Sequence, residues 1–291
     1  MKRYVLLPLF LLTAATLFAQ QDTTLIYSNP GYNKDPLRSK WRKEVVHKDS
    51  LWVVMLYNGK DELRERISYG DEKLTVRSGP YAFYENGKLV ESGDFDKGYK
   101  YGEWKVLFPN EQVHEKANYA WNTLHGTYRL YWDNGHIRKE GRYSRGKKVG
   151  NWRMFHQNGK LALKENYDDN GQLTEGEYFD AEGKHVAKTE VVSPPNYKGG
   201  LAAFYQLFAR SFKYPANVPK EEVPAKMNID FEVTSNGRIT AVGFPQNTNP
   251  KLKREVLKVL ALSLGNWVPG SELGEPVDMQ YILPLEILLQ Q

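Results

Sequence analysis

Cysteine is missing entirely from the 291 residues of this sequence. Disulfide bonds are therefore excluded, and stability must come from packing and hydrogen bonding alone. A bacterial lipoprotein also needs a cysteine at the site where its lipid is attached. This type of membrane anchor is excluded for the same reason.

Long apolar segments are scarce as well. The one marked stretch, Val5 to Phe18, is shorter than the roughly 20 residues of a bilayer span, and Pro8 interrupts it. Two basic residues precede it and Ala19 follows it, so residues 1–19 are expected to be a secretory signal. The chain is then expected in the periplasm without a lipid anchor. It would be anchored in the inner membrane only if the signal stayed uncleaved.

The sequence also lacks motifs for nucleic-acid binding or catalysis. The net charge is +5, but no block rich in Lys and Arg is present, so nucleic acid is not an expected partner. We find no Ser/His/Asp arrangement, nucleophile elbow or phosphate-binding glycine loop. No catalytic residue, no cofactor and no enzymatic activity are therefore predicted.

Metal-binding patterns are absent or weak. The six histidines, at positions 47, 114, 125, 136, 156 and 185, do not have the spacing of metal ligands. Residues 166–177 resemble a calcium-binding loop, although Asn166 replaces its usual first aspartate. Because Asn170-Gly171 is also typical of a hairpin, this segment is predicted to be a hairpin turn. No metal site is expected.

Aromatic residues, in contrast, are abundant, with 19 Tyr and 7 Trp, and they favour β-structure. A unit of about 24 residues recurs, with leading glycines at positions 79, 102, 126 and 150 and a degenerate last copy near Gly176. Each unit has an aromatic strand that ends in a turn such as Asn134-Gly135, typical of a type I′ hairpin. A return strand and a Gly-x-x-x-Gly turn from Gly146 to Gly150 complete the unit.

This spacing resembles the MORN repeat, in the short form found in secreted bacterial proteins. The resemblance covers about residues 76–190 and implies stacked β-hairpins, since one hairpin cannot bury its aromatic face alone. Asn58-Gly59 again ends an aromatic strand. Residues 20–75 are therefore expected to be degenerate repeats that cap the array.

A second pattern begins after Ser193-Pro194-Pro195, which predicts a linker at 191–198. Periodicity then predicts helices near 201–210 and 250–264. It also predicts strands near 227–233, 239–244 and 277–289. The landmark residues of this part are Gly199, Gly200, Tyr214, Pro215, Trp267, Pro269, Gly270 and Pro284.

This order of elements and landmarks resembles the C-terminal domain of TonB, over about residues 193–290. The resemblance implies a small α/β domain, assigned here to 199–291, whose last strand is an open sheet edge. A segment of an outer-membrane receptor would add to that edge. On this chain the pairing edge would comprise Met279, Gln280, Tyr281, Ile282, Leu283, Leu285 and Ile287. Pro284 lacks an N–H group, which fits a sheet edge.

The expected fold class is mainly β plus α+β: a stacked array of MORN-like β-hairpin repeats followed by a small TonB-like α/β domain. The expected function is that of a non-enzymatic periplasmic adaptor that docks to an outer-membrane receptor, a transporter or another envelope protein. Two alternatives stay open. One is a divergent TonB-type energy transducer, and the other is an envelope scaffold whose repeats bind glycan or lipid.

Overall fold

The computed structural model describes residues 22–25, 41–215, 218–219 and 223–287. The expected signal at 1–19 lies outside these residues. The chain divides into two compact units. The first holds the described residues up to His136 together with Arg142–Lys147, and the second holds Ile137–Gly141 and the described residues from Lys148 onward.

The first unit is an antiparallel sheet in which each strand pairs with the next one in the sequence. Its strands are β1 (Asp22–Leu25), β2 (Arg42–Lys48), β3 (Leu51–Tyr57), β4 (Leu63–Tyr69), β5 (Arg77–Glu85), β6 (Lys88–Asp96), β7 (Tyr99–Leu107), β8 (Val113–Ala120) and β9 (Thr123–Tyr131). Strand β10 (Ile137–Ser144) contributes residues to both units. The described part of the expected cap thus pairs with the first repeat, through β4 and β5.

In the second unit the same antiparallel pattern continues through three strands, β11 (Lys147–Phe155), β12 (Leu161–Tyr167) and β13 (Leu173–Tyr178). The turn from Asp168 to Gln172 joins β12 to β13, so the hairpin predicted at the calcium-like segment is confirmed. The fold is mainly β, with stacked antiparallel hairpins, as the repeat pattern predicted.

A small residue beneath a large aromatic ring is the packing rule of the repeats. A Cβ atom at Gly93 would lie only 2.3 Å from Trp104 Cδ2, and a Cβ atom at Gly141 would lie equally close to Trp152 Cδ2. In the repeat between these two, the small residue is Ala117, and its strand partner is the aromatic Tyr128. Because rings fill the space above these small residues, each return strand packs tightly against the next hairpin.

This packing rule reverses in the last hairpin. The next position in the series, 24 residues after Gly141, is Glu165. Its partner on β11 is still Trp152, but its partner on β13 is Gly176 instead of an aromatic residue. The buried Glu165 carboxylate accepts hydrogen bonds from Tyr167 (2.7 Å) and Tyr178 (2.8 Å). The aromatic stacking therefore ends at this hairpin.

The turns differ from the prediction in one respect. Type I′ turns were expected at every Asn-Gly, and Asn86-Gly87 has the required positive φ at both residues (50° and 75°). At Asn134-Gly135 only the glycine has positive φ (81°). There the Asn134 side chain accepts the N–H of His136 (2.9 Å), which stabilises a three-residue loop with Gly135 in the left-handed conformation.

The other ends of the hairpins carry the two-residue turns. Lys97-Gly98, Trp121-Asn122 and Arg145-Gly146 all have positive φ at both positions. The expected Gly-x-x-x-Gly turn is therefore wrong, because Arg145-Gly146 alone makes the turn and β11 already begins at Lys147. The leading glycines instead lie inside strands, and each of them has a positive φ. Opposite two of them, Gly102 and Gly126, the strand register shifts.

The described residues of the C-terminal part form three helices, α1 (Lys188–Val191), α2 (Gly200–Ser211) and α3 (Pro250–Leu262). Three longer strands form one sheet in the order β17-β16-β21, namely β16 (Lys226–Val233), β17 (Ile239–Gly243) and β21 (Met279–Glu286). The helix–strand–strand–helix–strand order predicted from periodicity is confirmed. None of the described helices is long and apolar enough to cross a membrane.

Short strands complete this part and were not predicted. They are β14 (Val192–Ser193), β15 (Asn196–Tyr197), β18 (Trp267–Val268), β19 (Gly270–Glu272) and β20 (Glu275–Val277). β14 pairs with β19, and β15 pairs with β18. Residues 191–198, predicted to be a linker, thus contain two short paired strands, one on each side of Pro194-Pro195.

The repeats and the C-terminal part share contacts inside the second unit. Met154, Ala162 and Leu163 of the last strands form a buried cluster with Val191 of α1. Lys139 forms an ion pair with Glu272, and Arg138 Nη1 lies 2.7 Å from Glu275 Oε2. These contacts explain why the division between the compact units falls within the repeats and not at Ser193.

Candidate functional site

The candidate site is strand β21, which lies at one edge of its three-stranded sheet. In the described part of the chain its neighbour is β16, with Ile229 opposite Leu283 and Asp230 opposite Ile282. Leu283, Leu285 and the following Ile287 are buried in the core. Alternate residues on the strand therefore face solvent, and Ile282 among them is 63% exposed.

The backbone N–H and carbonyl groups of β21 point either toward β16 or toward the open edge of the sheet. Ile287 donates its N–H to the carbonyl of Ala225, on the β16 side. Because backbone groups of successive residues point to opposite sides of a strand, the odd-numbered residues bond to β16. The N–H and carbonyl groups of Gln280, Ile282 and Glu286 therefore point toward the open edge.

Pro284 limits this edge. It has no N–H to offer, and its carbonyl oxygen accepts a hydrogen bond from the Tyr205 hydroxyl of α2 (2.8 Å). Burial, together with the nearby Glu286, raises the pKa of Tyr205, so the hydroxyl stays protonated and remains a donor at neutral pH. The open part of the edge is therefore the segment before Pro284.

The charges beside this edge are unevenly distributed. Asp230 lies opposite Ile282, and Glu232 lies opposite Gln280. At the other end of the strand, Lys226 Nζ and Glu286 Oε1 form an exposed ion pair at 2.7 Å. The segment before Pro284 is thus bordered by acidic side chains, whereas the end after it is balanced.

The aromatic landmark Trp267 supports the sheet from inside. It is buried with Tyr197, Phe204, Phe231 and Tyr281 around it, with ring centroids 5.0 to 5.7 Å from its own. Its indole N–H donates to the Ser263 hydroxyl at 3.0 Å. Burial raises the pKa of Tyr281, which packs on the same side of β21. Trp267 therefore helps to hold β21 in place.

The other landmarks serve turns and close contacts. Gly199 and Gly200 both have positive φ (83° and 78°) where α2 begins. A Cβ atom on Gly270 would lie 2.9 Å from Met279 Sδ. The Tyr214 hydroxyl donates a hydrogen bond to the Val218 carbonyl at 3.1 Å, and the next residue, Pro215, is buried. Pro269 is half-buried between β18 and β19. The helix predicted near residues 201–210 runs from Gly200 to Ser211, so it ends before Tyr214-Pro215.

Titratable groups gather where the last repeats meet the C-terminal part. Burial and the neighbouring Lys139 lower the pKa of Lys148 to about 8, against the opposing effects of Glu165 and Glu272. Lys148 Nζ lies 4.9 Å from the centre of the Trp152 ring. Among the described residues no group of three or more His, Cys, Asp or Glu side chains is placed to hold a metal ion.

Sequence reasoning missed a group of exposed aromatic residues on the repeats. Tyr99, Tyr101 and Trp121 are each about half exposed (45%, 51% and 56%). The Tyr99 and Trp121 rings meet edge to face, with centroids 5.5 Å apart. The alternation of Tyr99 and Tyr101 at the start of β7 is the one signal in the sequence that could have indicated them.

The comparison with known protein families finds a match in the repeats. Residues 124–144 and 148–169 match the family model of the MORN repeat variant. These segments contain β9 to β12, whose hairpins have the expected period. The MORN-like part of the prediction is confirmed here. No curated protein matches the sequence.

Two solved structures of TarM show weak similarity to the chain. One is an S. aureus TarM mutant in complex with fondaparinux, alpha-GlcNAc-glycerol and UDP, at 9% identity and a TM-score of 0.21 over 46% of this chain. The other TarM structure has 10% identity and a TM-score of 0.20, also over 46% of this chain. The chain spans about a fifth of the length of those proteins, 21% in each case. Likeness at this level carries no argument about fold or function.

Proposed function

We propose that this protein is a non-enzymatic adaptor of the cell envelope that binds its partner by strand addition to β21. The observation that carries the proposal is the edge position of β21, whose one strand neighbour in the described residues is β16. An added strand would gain main-chain hydrogen bonds from Gln280 and Ile282. Its alternate side chains would provide selectivity.

The resemblance to the TonB C-terminal domain supports the choice of edge and of partner. In that family the last strand receives a segment of an outer-membrane receptor. Applied to this chain, the partner is an outer-membrane receptor, a transporter or another envelope protein. The signal expected at residues 1–19 supports a periplasmic location for the protein, where such a partner would be accessible.

The local structure further defines the segment that would bind. The added strand pairs with the part of β21 before Pro284, because Pro284 has no donor and Tyr205 occupies its carbonyl. An apolar side chain is expected beside the exposed Ile282. A basic side chain is expected near Asp230 and Glu232, for charge complementarity.

A proline at position 282 tests this proposal. Deleting residues 277–291 would remove Leu283 and Leu285 from the core and unfold the domain, so a point variant is preferable. Ile282→Pro removes an N–H that points to the open edge and leaves the ladder with β16 intact. Ile282→Ala is the matched control, because it removes the side chain but keeps the N–H.

The measurement is photo-crosslinking from a reactive residue at Gln280, with outer-membrane extract and full-length protein. The parent protein and Ile282→Ala are expected to give the same crosslinked partner, whereas Ile282→Pro gives none. Equal crosslinking by Ile282→Pro and the parent protein would falsify the proposal. Circular dichroism of each variant verifies that the fold is retained.

A second function, glycan binding by the repeats, is supported by the exposed aromatic rings of Tyr99, Tyr101 and Trp121. Sugar rings commonly stack on such faces, since an aromatic ring presents a flat apolar surface. Binding of the full chain to purified envelope sacculi should fall when Trp121 is replaced by Ala. Unchanged binding by Trp121→Ala would exclude these rings as the glycan site.

A further inference from the structure

Exposed leucines gather at the C-terminal end of α3. Of the twelve exposed large apolar side chains in the described residues, four fall between positions 257 and 268. They are Leu257 (43%), Leu262 (61%), Leu264 (54%) and Val268 (43%). Single exposed apolar residues are ordinary, but a group of this kind marks an interaction surface.

These leucines are not needed for the core. The buried side of α3 consists of Leu252, Val256, Val259 and Leu260. Leu257 lies on α3 and Leu264 lies in the turn that follows the helix, and neither is part of that buried side. Leu262 ends the helix and is the most exposed of the three. We call Leu257, Leu262 and Leu264 the leucine tip.

The C-terminal end of a helix usually favours basic residues over apolar ones. Its partial negative charge attracts cations to the last turn, yet the last turn of α3 contains none. A cation is instead supplied from another segment, because Lys198 Nζ donates to the carbonyl of Gly265 at 3.0 Å. The apolar residues at this end therefore contribute nothing to helix capping.

Basic side chains surround the leucine tip. Arg254 and Lys258 are exposed on the preceding turns of α3. The one carboxylate of the helix, Glu255, is mostly covered and forms an ion pair with Lys258 at 2.6 Å. With the ammonium of Lys198 beside Gly265, three basic side chains thus lie on α3 or next to its C-terminal end.

We propose that the leucine tip binds the surface of a membrane that contains anionic lipids. Apolar side chains flanked by Lys and Arg are the usual pattern of helices that lie at a bilayer surface. The leucines would enter the boundary of the acyl chains, and Lys198, Arg254 and Lys258 would contact the phosphates. The charge complementarity between these cations and an anionic surface favours lipid over an apolar protein groove.

Lipid contact at this site is independent of the partner proposed for β21. Buried residues of α2 and α3 share the core with the sheet, whereas the leucine tip is exposed and outside that core. The edge of β21 therefore stays accessible to a partner. The Ile282→Pro variant should bind vesicles as well as the parent protein, so failure of one proposal can be told from failure of the other.

Vesicle co-sedimentation of the full-length protein tests the proposal. Vesicles of phosphatidylcholine with phosphatidylglycerol should bind the parent protein, and pure phosphatidylcholine should bind it at least about fivefold more weakly. Leu257→Ser with Leu264→Ser should weaken binding to anionic vesicles about tenfold or more. Arg254→Gln with Lys258→Gln should weaken it about tenfold.

Matched controls use equivalent side chains elsewhere. Leu173→Ser removes a leucine of similar exposure (41%) from β13 and should leave binding unchanged. Lys97→Gln with Lys147→Gln removes two exposed lysines from the repeat turns and should also have no effect. Equal loss in these controls, or equal binding to neutral and anionic vesicles, would overturn the proposal.

The absence of cysteine allows a direct probe of depth. Ala261→Cys places a single thiol between the leucines, and an environment-sensitive fluorophore attached there should shift to the blue when anionic vesicles are added. The same fluorophore at Lys97→Cys should not shift. A shift at position 261 that depends on protein concentration without vesicles would indicate self-association and overturn lipid binding.

Discussion

The indole ring of Trp152 covers Gly141 so closely that a Cβ atom at this position would lie 2.3 Å from Trp152 Cδ2. Trp152 is itself almost fully buried, so it has little room to move. Gly141→Ala should therefore lower the free energy of unfolding by about 1–3 kcal/mol, as overpacked cores do. Urea unfolding followed by tryptophan fluorescence measures the change.

A glycine without such contacts provides the control. A Cβ atom at Gly59 would have no neighbour within 4 Å, and the residue does not have positive φ. Gly59→Ala should change stability by less than about 0.5 kcal/mol. Equal destabilisation by the two variants would show that the Trp152 contact is not the cause.

Glu165 should make the free energy of unfolding depend on pH in the acidic range. Burial alone raises its pKa, but hydrogen bonds from Tyr167, Lys188 and Tyr178 bring the pKa below its ordinary value. A depressed pKa stabilises the fold above the unfolded value of about 4.3, and this contribution is lost as the pH falls through the folded pKa. Glu165→Gln should therefore cost about 1–3 kcal/mol at pH 7, and progressively less as the pH falls below about 4.3.

Denaturant titrations at several pH values measure this difference. Glu177→Gln is the control, because Glu177 is exposed and lies 3.5 Å from Lys164. Its replacement should change stability by less than about 0.5 kcal/mol at any pH. A gap between Glu165→Gln and the parent protein that stayed constant down to pH 3 would contradict the argument.

Lys148 should act in the opposite pH range. Its pKa of about 8 is below the unfolded value of about 10.4, so the folded state binds the proton less tightly than the unfolded state. Stability should therefore increase as the pH rises through this interval. The difference between the parent protein and Lys148→Met should change by about 1–3 kcal/mol between pH 7 and 10 in favour of the parent.

The neighbouring Lys147 is exposed and gives a matched control. Lys147→Met should show the same pH dependence as the parent protein. Thermal unfolding at pH 7, 8, 9 and 10 is sufficient for the comparison. A pH dependence of Lys148→Met identical to that of the parent would show that Lys148 is not the group responsible.

The buried pair of Ser263 and Trp267 predicts a coupled effect. Ser263 accepts the indole N–H and donates to the carbonyl of Leu260 at 2.6 Å. Ser263→Ala leaves the indole donor without its acceptor and should cost about 1–3 kcal/mol. In a Trp267→Phe background the same change should cost less, and a double-mutant cycle from urea unfolding measures this coupling.

The regular parts of the fold could be predicted because they repeat or alternate. Met227, Ile229, Phe231 and Val233 alternate in the sequence, and all four are buried on one side of β16. The spacing of the glycines likewise predicted the hairpins. Short strands such as β15 and β18 could not be predicted, because Tyr197 pairs with Trp267 and such distant pairing leaves no local signal.

The candidate site was predictable only in part. The resemblance to TonB implied the edge and Pro284 fitted it, whereas alternation indicated which residues share a face. The hydrogen bond from Tyr205 to Pro284 depends on how α2 packs on the sheet, which no local pattern encodes. The turn types were missed for a similar reason, since the Asn134 side chain favours a loop that the Asn-Gly pair alone does not indicate.

The change from glycine to Glu165 in the repeat series marks the end of the hairpin array. A copied unit of 24 residues such as 124–147 carries its own small residue, Gly141, and could be inserted upstream without altering the last hairpin. A unit inserted after Tyr167 would have to stack on a buried carboxylate that already has three partners. The number of hairpins is thus free to vary at one end, while the end that carries β21 keeps a fixed design.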